Sequence, residues 1–371
     1  MKKALVISII LVICLWGTAG WAKEPDTPEI KLTEAIDLAM KNSDSLKKAA
    51  LDVDKNKEKQ EKASDKLDFI PALGSTYDAA TESNWYGLIS ADINWQMSKK
   101  SYSSEQDRLT LDVCQKYWNV QKSLESVRSK KISAAVAELA FRRAQAMVRL
   151  GMTPPEYPAG SSPQSVLEGA EGSLISARSD LTKAQNKLNS DYEALNQLIG
   201  LWPEDRPQLV DQVTFESLKV DNLDAEIQRA VEKSPKIWQA KEKITLAKLS
   251  HNLMYASGSY TPYKVREIEK EQAQIDAISA EDAVRLATRS LYYTVMNLEA
   301  GLPAAENAVA AAEEALRVAK IQYELGMITK ESLKKTEASL VQAQYNLMDL
   351  KQQHLYAKLA FQKPWAVSAA G

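Results

Sequence analysis

Glycine and proline are scarce in this chain, 13 of each among 371 residues. A compact enzyme rarely has so few, while Ala, Leu, Lys, Glu and Gln are plentiful. That mixture belongs to long helices and coiled coils. Histidine and cysteine each occur only twice. With His251 and His354 isolated, there is no His-x-x-x-His pattern, no Gly-x-Ser-x-Gly and no phosphate loop. No catalytic residue, cofactor or metal is expected, and the chain is read as a non-enzyme. The net charge of −2 leaves no basic surface for nucleic acid. Beyond the N-terminus no run of about 20 apolar residues occurs, so no membrane-spanning helix is expected there.

The first residues read Met1-Lys-Lys, then an apolar stretch from Ala4 to Trp16, then small residues up to Ala22. This is the pattern of a secretory signal peptide, 1–22, cleaved after Ala22. The alternative is a retained anchor, for which the apolar core is short. Ile13 precedes Cys14 where lipidation would need a small residue. Cleavage leaves one thiol, Cys114, and hence no internal disulfide. It reads as a small, half-buried apolar residue.

What the chain does contain is a duplication. Ile36, Ala39, Ser43 and Leu46 recur at constant separation as Ile227, Ala230, Ser234 and Ile237. Tyr117, Val120, Ala140, Ala144 and Gly151 recur, at a shorter separation, as Tyr292, Val295, Ala315, Ala319 and Gly326. Leu167, Leu174, Ala177 and Leu181 recur, closer still, as Leu333, Leu340, Ala343 and Leu347. The second copy is therefore shorter between its first and second helical segments. The first copy has an insertion just after Gly151, in "TPPEYPAGSS". The parts are a signal peptide, repeat 1 (23–200), a linker (201–221) with turn residues in "LWPEDRPQ", repeat 2 (222–363) and a tail (364–371).

Each repeat ends in a heptad seam. One runs Leu167, Ala170, Leu174, Ala177, Leu181, Ala184, Leu188, Asp191, Leu195, Leu198. The other runs Leu333, Thr336, Leu340, Ala343, Leu347, Leu350, His354, Ala357, Phe361. Such spacing calls for coiled-coil packing. On this seam His354 is a packed or bridging residue rather than a base. A longer helix precedes each seam, Gln96–Leu150 and about Val265–Leu325, the latter with a kink expected at Gly301-Leu-Pro303. The repeated Leu-Gly-Met stops, Leu150–Met152 and Leu325–Met327, are then hairpin tips with glycine as the left-handed cap. One non-helical piece is expected in repeat 1, a β-hairpin over 68–96. In it Trp85–Gln96 alternates apolar and polar residues, Asp68–Ala80 supplies the partner, and Thr81–Asn84 the turn. Tyr77, Trp85, Tyr86 and Trp95 suit an interfacial aromatic belt. The hairpin is either membrane-spanning or a soluble cap. The fold class is mainly α: tandemly duplicated long antiparallel helical hairpins, the protomer of a coiled-coil α-barrel, with one β-hairpin in the first repeat.

This combination resembles the TolC-like outer-membrane efflux protein family. The likeness is strongest in "YELGMITKESLKKTEASLVQAQYNL", where Tyr323, Gly326, Thr329, Ser339, Leu340 and Ala343 match the family's tip and returning helix. "EAIDLAMKNSDSL" and "FIPALG" are similar to its opening helix and strand entry. The resemblance implies a homotrimer in the outer membrane and periplasm, with twelve long helices forming a tunnel and a barrel built from all three chains. It also implies that the tips meet a periplasmic adaptor (membrane fusion) protein, which links the duct to an inner-membrane transporter. Leu150, Gly151, Met152, Leu325, Gly326, Met327 and Thr329 sit where those contacts fall, and the glycines are also simple helix caps. The sequence departs from the family in repeat 2, where "MYASGSYTPYKV" is too short for a strand pair. One hairpin per chain would supply fewer strands than the smallest usual barrels. The expected function is an efflux or secretion duct component; the alternative is a non-conducting structural coiled-coil protein of the envelope.

Overall fold

The computed structural model describes residues 27–67, 78–152, 162–253, 255 and 261–367. The expected signal peptide lies outside them. Repeat 1 contains α1 (Leu32–Asn42), α2 (Asp44–Ser64), α3 (Ala79–Arg149) and α4 (Pro163–Ile199). Repeat 2 contains α5 (Leu223–Lys233), α6 (Pro235–Asn252), α7 (Tyr263–Glu324) and α8 (Lys330–Gln362), followed by a 3-10 turn, Pro364–Ala366. The correspondence is close: α1 and α5 are 11 residues each. Both stop at a serine in extended backbone, Ser43 and Ser234, and a new helix starts at once. Ala39 and Ala230 are fully buried at matching positions.

α3 has 71 residues and α7 has 62, which at 1.5 Å per residue is about 105 and 93 Å. Helices of this length need neighbours along their whole extent. In one half the layer runs α4–α3–α8–α7, and in the other α2–α3–α6–α7. α8 and α6 therefore occupy successive stretches beside α7. The two heptad seams are sheltered throughout: no seam residue of α4 or α8 is exposed, while most other positions in 171–190 are. α7 is less regular. Its buried positions Arg266, Ala277 and Thr288 are spaced by eleven residues, then Val295 and Leu302 by seven. Eleven-residue spacing suits a slight right-handed supercoil, and seven-residue spacing a left-handed one. Pro303 lies inside α7 without ending it, although its ring removes the N–H that would have bonded one turn back.

The core sits at a belt where the halves meet. Ala35, Ala39, Leu109, Val113, Tyr117, Val120, Leu195 and Ile199 are packed there with almost no exposure. A small parallel pair closes the belt, β1 (Glu29–Ile30) against β2 (Gln208–Leu209). Tyr117 pins it by donating its O–H to the Ile30 carbonyl at 2.9 Å and accepting the Asp211 N–H at 3.3 Å. The linker then crosses α8 and α7. The Phe215 ring lies 4.6 Å from His354, and the Leu218 N–H donates to Glu299 at 2.6 Å.

The expected β-hairpin is corrected by the fold. Thr81–Asn84 and Trp85–Gln96 are helical, part of α3, which Asp78 caps by accepting the Thr81 N–H at 2.6 Å. Trp85, Tyr86 and Trp95 are half-buried on this helix, and the Lys99 ammonium stands 3.7 Å from the Trp95 ring centre. Tyr77 and the rest of 68–77 lie outside the described residues. The alternation at 85–96 fits a strand, yet Glu82, Tyr86, Ile89, Ile93 and Met97 also fall at helical spacing, none exposed. Packing against α2 favours the helical period, and polar Glu82 and Tyr86 disguise it. Among the described residues the strand pairing is β1 with β2.

Candidate docking tips

The two tips are built alike. After α3, the Gly151 N–H donates to the Val148 carbonyl and the Met152 N–H to the Met147 carbonyl, both at 3.0 Å. After α7, the Gly326 N–H donates to Tyr323 at 3.0 Å and the Met327 N–H to Gln322 at 2.8 Å. This is the two-bond Schellman closure, which requires a left-handed residue just past the helix. Gly151 and Gly326 provide it with φ of +67° and +72°. No heavy atom lies within 4 Å of a Cβ built at either position, so backbone conformation selects glycine, not crowding.

The closure leaves its apolar neighbours in solvent. Leu150 is 71% exposed, Met152 53%, Leu325 69% and Met327 70%. Ile321 and Tyr323 extend the apolar surface on the α7 side. Exposed apolar side chains gathered at helix ends make the tips candidates for contact with a partner, and methionine adapts readily to a partner's shape. Thr329 starts α8, its Oγ1 accepting the Ser332 N–H at 3.2 Å. It is a cap as well as an exposed tip residue.

Both tips lie at one end of the molecule. Glu331, in the first turn of α8, stands 3.7 Å from Arg143 near the end of α3. Glu331 also pairs with Lys335 at 2.7 Å and is 8% exposed as a residue. A carboxylate there also faces the positive end of α8. Periodicity pointed to the tip residues, but not to the Arg143–Glu331 tie between repeats. A charge run carries no sign of which members cross between helices.

Electrostatics elsewhere are mostly those of a solvated surface. Hydrogen bonding from Arg317 holds the Glu314 carboxyl below its ordinary range, and hydrogen bonding from Lys264 does the same for Glu267. Burial pushes the Cys114 thiol up to about 11. His354 bridges, Nε2 to Oε1 of Glu299 at 3.0 Å. Among the described residues no cluster of His, Cys, Asp and Glu could hold a metal ion, and no helix is long and apolar enough to cross a membrane.

No family model matches the chain, and no curated protein does. Solved structures do. CusC, described with its folding and transmembrane channel formation, is 15% identical with a TM-score of 0.63, covering 93% of each chain. The Campylobacter jejuni outer-membrane channel CmeC is 13% identical at 0.63, covering 93% of this chain and 90% of its own. The open Neisseria gonorrhoeae outer-membrane channel MtrE is 16% identical at 0.57, covering 89% and 87%. At such identities the likeness establishes architecture: this chain has the fold of a TolC-like channel protomer.

Proposed function

We propose that the chain is a wall segment of a helical export duct in the cell envelope, assembled as a homotrimer. In this reading its tips dock onto a periplasmic adaptor that leads to an inner-membrane transporter. The observation that carries the reading is the layer α4–α3–α8–α7 with both apolar tips at one end. α4 and α7 form opposite edges of that layer, and both carry exposed apolar residues: Ile175 on α4, and Val318 and Ile321 on α7. Setting α4 of one copy beside α7 of the next covers both edges, and three copies close a ring of twelve long helices. Such a duct performs no bond chemistry. Its envelope location rests on the signal-peptide pattern and on the channel fold.

The test is a cross-link at the tips. A photoreactive residue at Met327 is expected to capture an envelope protein, while the same residue at the exposed Ile175 captures a second copy of this chain. Capture of nothing at Met327 in cells with a complete export system would remove the docking proposal.

The alternative, a non-conducting structural spacer of the same fold, is favoured by the shortness of the connections at the end opposite the tips. A stable trimer with an open water-filled lumen would rule it out.

A further inference from the structure

We infer that this chain contributes no strands to a transmembrane barrel, so the end of the molecule opposite the tips stands in water.

The first argument is topological. α2 and α3 pack side by side, as do α6 and α7. Whatever leaves α2 must therefore return to α3 on the same side of any membrane, and crossings come in pairs. Each strand of a spanning pair needs about 9–11 residues, tilted by ~45°. The connection from α2 to α3 is confined to residues 65–78, and that from α6 to α7 to 253–262. At about 3.3 Å per residue, the longer connection reaches roughly 23 Å out and back even if fully extended and upright. With a tilt of about 40° it reaches roughly 18 Å, and the shorter connection roughly 13 Å. The apolar band of a barrel is about 25 Å tall. Neither connection crosses it, whatever path residues 68–77 and 256–260 take.

The second argument is the finish of this end. Charged groups are buried there, Glu82 tying the two repeats together and Arg266 tying α7 to α6 within repeat 2. Glu82, 4% exposed, accepts the Tyr255 N–H, which joins the start of α3 to the α6–α7 connection. Arg266, 3% exposed in the first turns of α7, donates through Nη1 to the carbonyls of Ser250 and Leu253 at the end of α6. Asn84 donates to the Lys66 carbonyl at 3.2 Å, closing α2 onto α3. The His251 and Tyr263 rings lie 4.6 Å apart beside them. These bonds hold the end of α2 against the start of α3, and the end of α6 against the start of α7.

The consequence rests on the duct reading: passage across a membrane at this end requires a barrel supplied by a different chain. The inference itself stands without that reading, because it follows from chain length and helix pairing.

The experiment uses Ala72→Cys in the full-length precursor, expressed in cells with an outer membrane and treated with a membrane-impermeant maleimide. Cys114 is 2% exposed and stays silent. The expected result is no labelling in intact cells and full labelling once the outer membrane is permeabilised. Labelling in intact cells would overturn the inference. As a second readout, purified 23–371 is expected to stay soluble without detergent and not to float with phosphatidylethanolamine–phosphatidylglycerol vesicles. Flotation, or stepwise conductance in a planar bilayer, would also overturn it. Labelling from outside leaves the duct proposal standing, whereas a strictly monomeric protein sinks the duct and leaves this inference untouched.

Discussion

His354 and Glu299 meet at 3.0 Å between α8 and α7, and the same Glu299 oxygen accepts the Leu218 N–H at 2.6 Å from the linker. One carboxylate thus joins three segments, and His354 is only 2% exposed. Glu299→Ala leaves a buried ring nitrogen and a backbone N–H without their acceptor. A cost of about 1–3 kcal/mol is expected, read as a lower urea midpoint. Faster proteolysis within 210–222 is expected alongside. An unchanged midpoint and cleavage pattern would show that the linker is held by other contacts.

Gly326→Ala introduces a side chain at φ +72°, in open space. Only backbone strain is added, about 1–2 kcal/mol. Gly151→Ala, at φ +67°, is expected to cost the same within error, because the two tips share one hydrogen-bond pattern. Thermal denaturation of both variants checks this. A neutral result at either tip would mean that its closure loosens in solution.

Cys114 is buried, and burial pushes its thiol up to about 11. For an acid whose folded value is raised, the neutral form is retained until the pH approaches that value. At pH 8 the folded protein is therefore expected to react with a disulfide reagent at least 100-fold more slowly than the protein in 6 M guanidinium. Equal rates would place the thiol at the surface. The raised value also implies stability that declines as pH climbs from the ordinary cysteine range towards 11.

Much of this architecture was legible because repetition reports on packing. The seams of α4 and α8 could be written down from Leu and Ala spacing alone, and the paired Leu-Gly-Met stops located both tips. Legibility failed where polar residues occupy buried positions. At the start of α3, buried Glu82 and half-buried Tyr86 break the apolar stripe that would have marked a helix there. Over 85–96 the remaining pattern fits two periods, and only α2 alongside chooses between them. The Arg143–Glu331 tie was hidden for a related reason: charge at a seam looks like charge at a surface.

At the tips, Leu325→Asp with Met152→Asp changes residues that are 69% and 53% exposed. Folding stability is expected to move by less than about 0.5 kcal/mol. Cross-linking from the photoreactive residue at Met327 to an envelope protein is expected to fall at least tenfold. Retained cross-linking would assign partner contact to another surface.

The central claim is that three copies of this extended layer close into a ring by joining α4 to α7. Sedimentation equilibrium of purified 23–371, with and without mild detergent, tests it most directly. The account predicts a mass of three chains at micromolar concentration in both conditions. A single-chain mass in both would contradict it.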